Sequence, residues 1–287
     1  MINNSSSLVE PINSKSMQFK NDIREFADLY DYFIFDVWGV IHDGSTAYPG
    51  AIEAISFLRQ KNKKICFLSN APRRANKVAE ALEKFGITPD LYDFVLTSGE
   101  AAFLSLQKIP GEKYFYIGPE KDADLLSGSN HQMVANASEA SFAITTGFDG
   151  ENSVLAEKMP QLLEAKKFNL PLICVNPDLI VVKQDGKEQI CAGVLAGEYK
   201  KLGGTVSYYG KPFPEVYKMV LQIFDITEKS RILAIGDGLL TDIRGAVDFE
   251  IDNVLVTNGI LQNPDPARLK EIFNSLQIFP QFVIPKI

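Results

Sequence analysis

Short apolar runs alternate with amphipathic stretches along most of the chain, and this alternation restricts the fold more than any other feature of the sequence. Eight runs have the length and composition of buried strands: YFIFD, KICFLS, FVLTS, YFYIG, FAITTG, LICVNP, ILAIGD and NVLVTN. They are almost continuously hydrophobic, as strands covered on both faces must be. Because strands that alternate with helices form parallel sheets, the sequence predicts an α/β fold with helices on both faces.

Four amphipathic stretches between these runs predict helices. They are AIEAISFLRQKN, ANKVAEALEKFG, SVLAEKMPQLLEAKKF and EVYKMVLQIFD. The third contains Pro160, which has no backbone N–H and obstructs the preceding turn, so we expect a break or a kink there.

The middle of the chain has the features of an inserted unit. Residues 98–209 contain strands and a helix of their own, separated by polar turns such as LSGSN and GFDGEN. We therefore predict one domain built from residues 17–97 and 210–287, with residues 98–209 inserted as a second domain. The polar segment 1–16 is expected to be a flexible leader.

Composition excludes several classes of function. The formal net charge is -7, and such a field disfavours nucleic acids and anionic membranes as partners. No apolar run approaches the roughly 18 residues that span a bilayer, and the polar N-terminus does not resemble a secretory signal. The three cysteines are far apart and lie among apolar neighbours, which indicates buried thiols rather than a zinc site. We predict a cytoplasmic protein.

Polar residues stand where several predicted strands end. They are Asp36 after YFIF, Ser69 and Asn70 after KICFL, and Asp237 after ILAIG, with Asp242 five residues further on and Lys211 before the last predicted helix. Taken singly, most of them could be turn formers or helix caps. In parallel sheets, however, ligands bind outside the carboxyl ends of the strands, where these residues would meet.

Carboxylates gathered at one edge of a sheet would repel each other, and a hard divalent cation removes that cost. Mg²⁺ takes one or two carboxylates, keeps several waters and accepts phosphate oxygens as ligands. Ser69 offers a hydroxyl donor, and Lys211 offers a point charge for phosphoryl oxygens. The set suits in-line attack by a carboxylate on a phosphoryl group, through an aspartyl-phosphate.

Four motifs, DVWGVIHDG, LSN, GKP and GDGLLTD, occur in the order and approximate spacing of the haloacid dehalogenase (HAD) superfamily. The chain most resembles its class IIA branch, the NagD-like and p-nitrophenyl-phosphatase-like proteins, and VNPD and GKPFPEVY also resemble that branch. The resemblance implies a Rossmann-like parallel-sheet core with an inserted α/β class II cap at 98–209. It also implies a small phosphorylated metabolite as substrate, and it is compatible with a homodimer.

The resemblance assigns roles to individual residues. Asp36 would be the nucleophile. Ser69, Asn70 and Lys211 would hold the phosphoryl group. Mg²⁺ would be bound by Asp36, Asp237 and the backbone carbonyl of Trp38, with Asp242 acting from behind these ligands.

Trp38 departs from the pattern of the family, because phosphatases of the superfamily have an Asp there that protonates the leaving oxygen and later activates water. Tryptophan can do neither, and a general acid or base contributes about 10²–10⁴-fold to a rate. His42 and Asp43 follow closely and are alternative acids, although both also suit a loop or a turn.

Two hypotheses of function follow. The first is a Mg²⁺-dependent phosphatase of small phosphomonoesters, such as sugar or nucleotide phosphates. The second is a phospholigand-binding regulatory protein with weak catalysis, which Trp38 favours. A dinucleotide-binding domain is disfavoured, since the first strand is followed by Asp36 rather than by a glycine-rich turn.

Overall fold

The computed structural model describes residues 17–150, 152–182 and 188–287, so the predicted leader, residues 1–16, lies outside the described residues. The strands are β1 (Gln18–Phe19), β2 (Tyr32–Phe35), β3 (Lys64–Ser69), β4 (Phe94–Thr97), β5 (Lys113–Ile117), β6 (Gln132–Val134), β7 (Phe142–Thr145), β8 (Leu172–Cys174), β9 (Ile180–Val182), β10 (Glu188–Ile190), β11 (Val206–Tyr208), β12 (Ile232–Gly236), β13 (Asp252–Val256) and β14 (Phe282–Ile284).

The helices are α1 (Ala51–Gln60), α2 (Ala75–Lys84), α3 (Ser98–Leu106), α4 (Leu155–Lys167), α5 (Ala192–Lys201), α6 (Pro214–Phe224), α7 (Arg244–Asp248) and α8 (Pro266–Leu276). Short 3₁₀ segments cover Ile23–Phe26, Pro89–Leu91, Glu120–Leu126, Ala137–Glu139 and Lys229–Arg231, and a π-type turn covers Leu239–Ile243. None of the described helices combines the length and the apolar character that crossing a membrane requires.

The strands form two parallel sheets and one hairpin. The larger sheet has seven strands in the order β1-β14-β13-β12-β2-β3-β4, and the smaller has five in the order β11-β8-β7-β5-β6. Every neighbouring pair in both sheets is parallel, whereas β9 and β10 pair antiparallel. All eight predicted runs contain a strand, and the predicted α/β fold with a Rossmann-like parallel sheet is confirmed.

The larger sheet is covered on both faces, which explains why its central strands are apolar without alternation. Side chains of β2 point alternately to the two faces, so Phe33 and Phe35 belong to one buried cluster and Ile34 belongs to another. The first cluster includes Ala51, Ala54, Ile55 and Leu58 of α1, and the second includes Val216, Tyr217 and Val220 of α6.

Pro160 does not break its helix, contrary to one of the two outcomes expected from the sequence. Helix α4 continues from Leu155 to Lys167 with the proline inside it. Pro160 is the sixth of the 13 residues of α4 and lies in its second turn, where it removes the hydrogen bond to the carbonyl of Ala156. The turns that follow are anchored by the buried side chains of Leu162 and Ala165, so the helix continues.

The three cysteines are free and buried, as predicted from their apolar neighbours. Cys66 belongs to the core under the larger sheet, and Cys174 packs beside Ala192 and Ala196 under the smaller sheet. Burial raises the pKa of the Cys174 and Cys191 thiols to about 12, so both are protonated at neutral pH.

Candidate active site

The carboxyl ends of three neighbouring strands bring the predicted residues together. Strands β12, β2 and β3 are adjacent and parallel, so the residues that follow them, Asp237, Asp36 and Asn70, reach the same edge of the sheet. The N–H group of Asp36 donates to the carbonyl of Ile235 at 2.8 Å, which fixes Asp36 beside β12. Asp36 is 9% exposed and Asp237 3%.

Lys211 lies between two of the carboxylates. Its Nζ is 2.5 Å from Oδ1 of Asp36 and 2.7 Å from Oδ1 of Asp242, although these residues are far apart in the chain. Lys211 is 3% exposed. A lysine this deeply buried keeps its charge only when carboxylates replace the lost water, so Lys211 and the two acids depend on each other.

The pKa values of Asp36, Asp237 and Lys211 are all raised, but the causes differ. Desolvation raises the pKa of Asp36 to about 7, although Lys211 opposes the shift, and the negative charge of Asp242 adds to it. Desolvation also raises the pKa of Asp237 well above its usual range, and the charges of Asp36 and Asp242 raise it further. Burial alone would lower the pKa of Lys211, but Asp242 and Asp36 hold it above its ordinary value.

The acidic cluster fits a divalent cation. Oxygen atoms of Asp36, Asp237 and Asp242 all lie within 4.8 Å of one another. Among the described residues, Lys211 is the cation that contacts this cluster, so two formal negative charges remain unbalanced when all three carboxylates are ionised. A hard dication with oxygen ligands removes this imbalance, and Mg²⁺ prefers such ligands.

Two glycines leave the room that Asp237 occupies. A Cβ atom on Gly39, or on Gly259, would lie 2.0 Å from Oδ2 of Asp237. Gly39 also has a φ angle of +83°, which other residues rarely adopt. The N–H group of Ile260 donates to the same Oδ2 at 2.8 Å and sets the orientation of the carboxylate.

Asn70 connects the sheet edge to two distant parts of the chain. Its Oδ1 accepts from the N–H group of Lys211 at 2.7 Å, and its Nδ2 donates to the carbonyl of Lys211 at 3.0 Å. The same Nδ2 donates to Oδ1 of Asp178 at 2.8 Å, from the loop that follows β8 of the smaller sheet. Asn70 therefore fixes the backbone that carries the Lys211 ammonium. Ser69, one residue earlier, is buried with its Oγ accepting from the N–H group of Ala71 at 3.2 Å.

A cavity of about 150 Å³ opens above this edge. All of the residues predicted for the site line it, together with residues that follow β8 or belong to β9: Asp36, Trp38, Ser69, Asn70, Lys211, Asp237 and Asp242 from the first group, and Asn176, Asp178, Ile180 and Val181 from the second. A larger groove of about 600 Å³, between α5, β11 and α6, contains none of the predicted site residues.

Asp178 is an acidic residue of the cavity wall that the sequence analysis did not select as a site residue. It follows the run LICV, so the rule that selected Asp36 and Asp237 could have found it. Its contact with Asn70 spans 108 positions of the chain and depends on how the smaller sheet is placed against the larger one.

His42 and Asp43 hold the loop beside Trp38. Nδ1 of His42 accepts from the N–H group of Gly44 at 2.9 Å, and its ring packs 4.6 Å from that of Phe85. Burial lowers the pKa of His42 from 6.5 to about 4, which leaves it neutral. Oδ1 of Asp43 accepts from the N–H groups of Ser45 and Thr46, both at 2.8 Å, as in a turn. Within the described part of the chain, neither lines the cavity.

Comparisons with known families give two matches in different parts of the chain. A profile described as haloacid dehalogenase-like hydrolase matches residues 33–132, which include Asp36, Ser69 and Asn70. A second profile, described as HAD-hydrolase-like, matches residues 208–283, which include Lys211 and Asp237.

Solved structures and curated proteins are similar over most of the chain. A hydrolase of the haloacid dehalogenase-like family from Brucella suis is 30% identical, with a TM-score of 0.81, over 93% of this chain and 99% of that one. A p-nitrophenyl phosphatase from Archaeoglobus fulgidus is 24% identical, with a TM-score of 0.75, over 90% and 96% of the two chains. An acid sugar phosphatase from Staphylococcus saprophyticus is 22% identical over 80% of this chain and 88% of its own length.

Proposed function

The chain belongs to the haloacid dehalogenase-like hydrolase family, and from this premise we propose that it is a Mg²⁺-dependent phosphatase of small phosphomonoesters. The family membership confirms the resemblance, including the class IIA branch, that the sequence motifs indicated. The observation that carries the proposal is the cluster of Asp36, Lys211, Asp237 and Asp242 at the carboxyl edge of the sheet.

We assign the attack on phosphorus to Asp36. It ends the central strand β2, it lines the cavity, and its Oδ1 is held by the Lys211 ammonium. A phosphoryl group that enters the cavity would meet this ammonium, the Ser69 hydroxyl and the backbone N–H group of Asn70, since the side-chain amide of Asn70 is occupied by Lys211 and Asp178. These groups stabilise the negative charge of the phosphoryl oxygens. Electrostatic stabilisation of this kind is usually the largest single contribution that a protein makes to such a reaction.

Mg²⁺ would be held by Asp36, Asp237 and the backbone carbonyl of Trp38, with Asp242 behind them. When bound, the ion would neutralise the charge on the phosphate oxygens and keep Asp36 ionised for attack. The support from the structure is the unbalanced negative charge of the cluster and the space that Gly39 and Gly259 leave around Asp237.

A small substrate suits the dimensions of the site. A cavity of about 150 Å³ is well below the roughly 300–1,000 Å³ of pockets that bind drug-sized ligands. The curated relative from S. saprophyticus is named an acid sugar phosphatase. We therefore propose sugar phosphates first, and nucleotide phosphates second, as the small phosphorylated metabolites that this chain hydrolyses.

Residues 98–209 are proposed to act as the cap of this active site. The described part of this segment supplies Asn176, Asp178, Ile180 and Val181 to the cavity, facing the side chains at the sheet edge. The boundaries of the two domains, the cytoplasmic location and the homodimer stay predictions. Neither a nucleic acid nor a membrane is part of the proposal.

The experiment is a screen of phosphate monoesters against the purified protein, with Mg²⁺ and with an excess of chelator. We expect release of inorganic phosphate from sugar phosphates and from p-nitrophenyl phosphate in the presence of Mg²⁺, and its loss on chelation. Absence of release from every ester, or equal release with the chelator present, would count against the proposal.

A second candidate function is favoured by Trp38. The indole lies on the cavity wall at a position where related phosphatases carry an acid, so the site could bind a phosphorylated ligand and hydrolyse it poorly. Calorimetry with the best substrates of the screen separates the two functions. Tight binding together with negligible turnover would favour the regulatory protein.

A further inference from the structure

A proton donor for the leaving group is missing from position 38, and the cavity contains another carboxyl group that can replace it. Four carboxyl groups line the cavity among the described residues: Asp36, Asp178, Asp237 and Asp242. Asp36, Asp237 and Asp242 form the acidic cluster with Lys211. Asp178 is the only one of the four outside that cluster, and it comes from the smaller sheet.

The backbone around Asp178 is firmly held. The N–H group of Asp178 donates to Oδ1 of Asn176 at 3.1 Å, and its carbonyl accepts from the N–H group of Gly193 at 3.1 Å. A Cβ atom on Gly193 would lie 2.5 Å from that carbonyl oxygen, so the loop is pressed against the start of α5. The side chain of Asp178 therefore projects into the cavity from a fixed support.

Within the described residues, the two oxygens of Asp178 differ in their contacts. Oδ1 accepts from Nδ2 of Asn70 at 2.8 Å, and Oδ2 has no hydrogen bond to any described residue. Asn70 follows Ser69, and its amide also holds the backbone of Lys211. These contacts place Asp178 on the cavity wall beside Asn70, one residue from the Ser69 hydroxyl of the proposed phosphoryl site.

The surroundings of Asp178 raise the pKa of its carboxyl group towards neutral pH. Desolvation raises the pKa of Asp178 to about 6. The hydrogen bond from Asn70 and the positive charge of Lys211 oppose this shift, and the negative charge of Asp242 supports it. A carboxyl group acts best as a general acid when its pKa lies near the working pH.

We propose that Asp178 is the general acid that protonates the leaving oxygen, in place of the acid that Trp38 has displaced from the sheet edge. The inference rests on the proposed phosphatase activity. Asp178 would reach the ester oxygen from the side of the smaller sheet, whereas the acid of related phosphatases lies two residues after the nucleophile.

The step conserves atoms and electrons. An oxygen of Asp36 forms a bond to phosphorus while the bond from phosphorus to the ester oxygen breaks. The electron pair of that bond stays on the ester oxygen, which takes the proton from Asp178 and departs as an alcohol. A water molecule then attacks phosphorus and gives a proton to the Asp178 carboxylate. The bond between Asp36 and phosphorus breaks, which releases inorganic phosphate and restores both acids.

The test compares two esters of similar size, p-nitrophenyl phosphate and benzyl phosphate. The nitrophenolate leaves without a proton, whereas the benzyl alkoxide requires one. The variant Asp178→Asn keeps an oxygen that can accept from Asn70 but cannot donate an acidic proton. Its kcat/KM should fall about 10²–10⁴-fold for benzyl phosphate and stay nearly unchanged for p-nitrophenyl phosphate. Its kcat should fall for both esters. Both pass through the same phosphorylated Asp36, and hydrolysis of that intermediate requires the Asp178 carboxylate to accept a proton from water.

Asp124→Asn is the matched control. Asp124 belongs to the same inserted segment and also contacts the larger domain, through an ion pair with Lys77 at 2.7 Å, but it does not line the cavity. This variant should retain the wild-type kcat/KM for both esters. Asp178→Ala should show the same preference between the esters as Asp178→Asn.

Two results would overturn the inference. One is an equal change of kcat/KM for both esters in Asp178→Asn. The other is wild-type behaviour of Asp178→Asn with a loss only in Asp178→Ala, which would make Asp178 a mere hydrogen-bond acceptor for Asn70. If the wild-type protein hydrolyses neither ester, the phosphatase proposal itself fails, and this outcome is distinct from both.

Discussion

The backbone of Gly39 passes so close to Asp237 that a Cβ atom on residue 39 would lie 2.0 Å from Oδ2 of the carboxylate. The contact joins the turn after strand β2 to the residue that follows β12. The position of Asp237, a proposed metal ligand, therefore depends on the absence of a side chain at Gly39.

We predict that Gly39→Ala weakens Mg²⁺ binding by displacing Asp237. Moving the groups that support metal ligands commonly costs about 10–100-fold in affinity, and we expect a loss of that size in titration calorimetry. Gly128→Ala is the control, since Gly128 has nearly the same φ, +81°, and a Cβ atom there would meet no other atom within 4 Å. Equal affinity losses in the two variants would mean that backbone strain, not Asp237, is responsible.

Lys211→Met should destabilise the protein strongly in the absence of metal. The substitution leaves Asp36 and Asp242 buried without their shared counter-charge, and removing one partner of a buried ion pair costs about 3–5 kcal/mol. Urea unfolding at pH 8 with a chelator measures the change. Lys218→Met is the control, because this exposed lysine is 3.9 Å from Glu215 and should shift the free energy of unfolding by less than about 1 kcal/mol. Similar shifts in both variants would contradict the mutual dependence of the three buried charges.

Stability should depend on pH through His42. Its pKa is lowered from 6.5 to about 4 in the folded chain because burial disfavours the imidazolium. The unfolded chain therefore binds the proton more readily, and the stability present above pH 6.5 is lost as the pH falls towards 4. Between pH 8 and pH 5, wild type should lose about 2 kcal/mol more than His42→Gln, as measured by urea unfolding. Parallel losses in the two proteins would mean that His42 titrates normally.

The larger sheet could be predicted from the sequence because its central strands are long and apolar. Strands β2, β3 and β12 are buried on both faces, and burial of that kind requires a continuous hydrophobic run. Strands β6, β9 and β10 have only three residues each, and β6 and β10, QMV and EQI, lack such a run. Strand β9 belongs to the apolar run LIVV, which precedes the turn pair Asp-Gly, and this hairpin signal was not used in the sequence predictions.

Asp36, Asn70 and Asp237 could be predicted because each directly follows a recognisable strand. Asp36 and Asp237 end neighbouring strands, and a parallel sheet necessarily brings them together. The position of Asp178 against Asn70 could not be predicted in this way. It depends on packing between two sheets, and the sequence of either partner does not record it.

The nucleophile is the centre of the account, and Asp36→Asn tests it most directly. The amide keeps the shape of the carboxylate but lacks the anionic oxygen that would attack phosphorus. Hydrolysis of p-nitrophenyl phosphate is measured at saturating Mg²⁺ for wild type and for the variant, and binding of inorganic phosphate to each is measured by calorimetry. The account predicts turnover by wild type, none above background by Asp36→Asn, and phosphate binding by both. Hydrolysis by Asp36→Asn at the wild-type rate would contradict it.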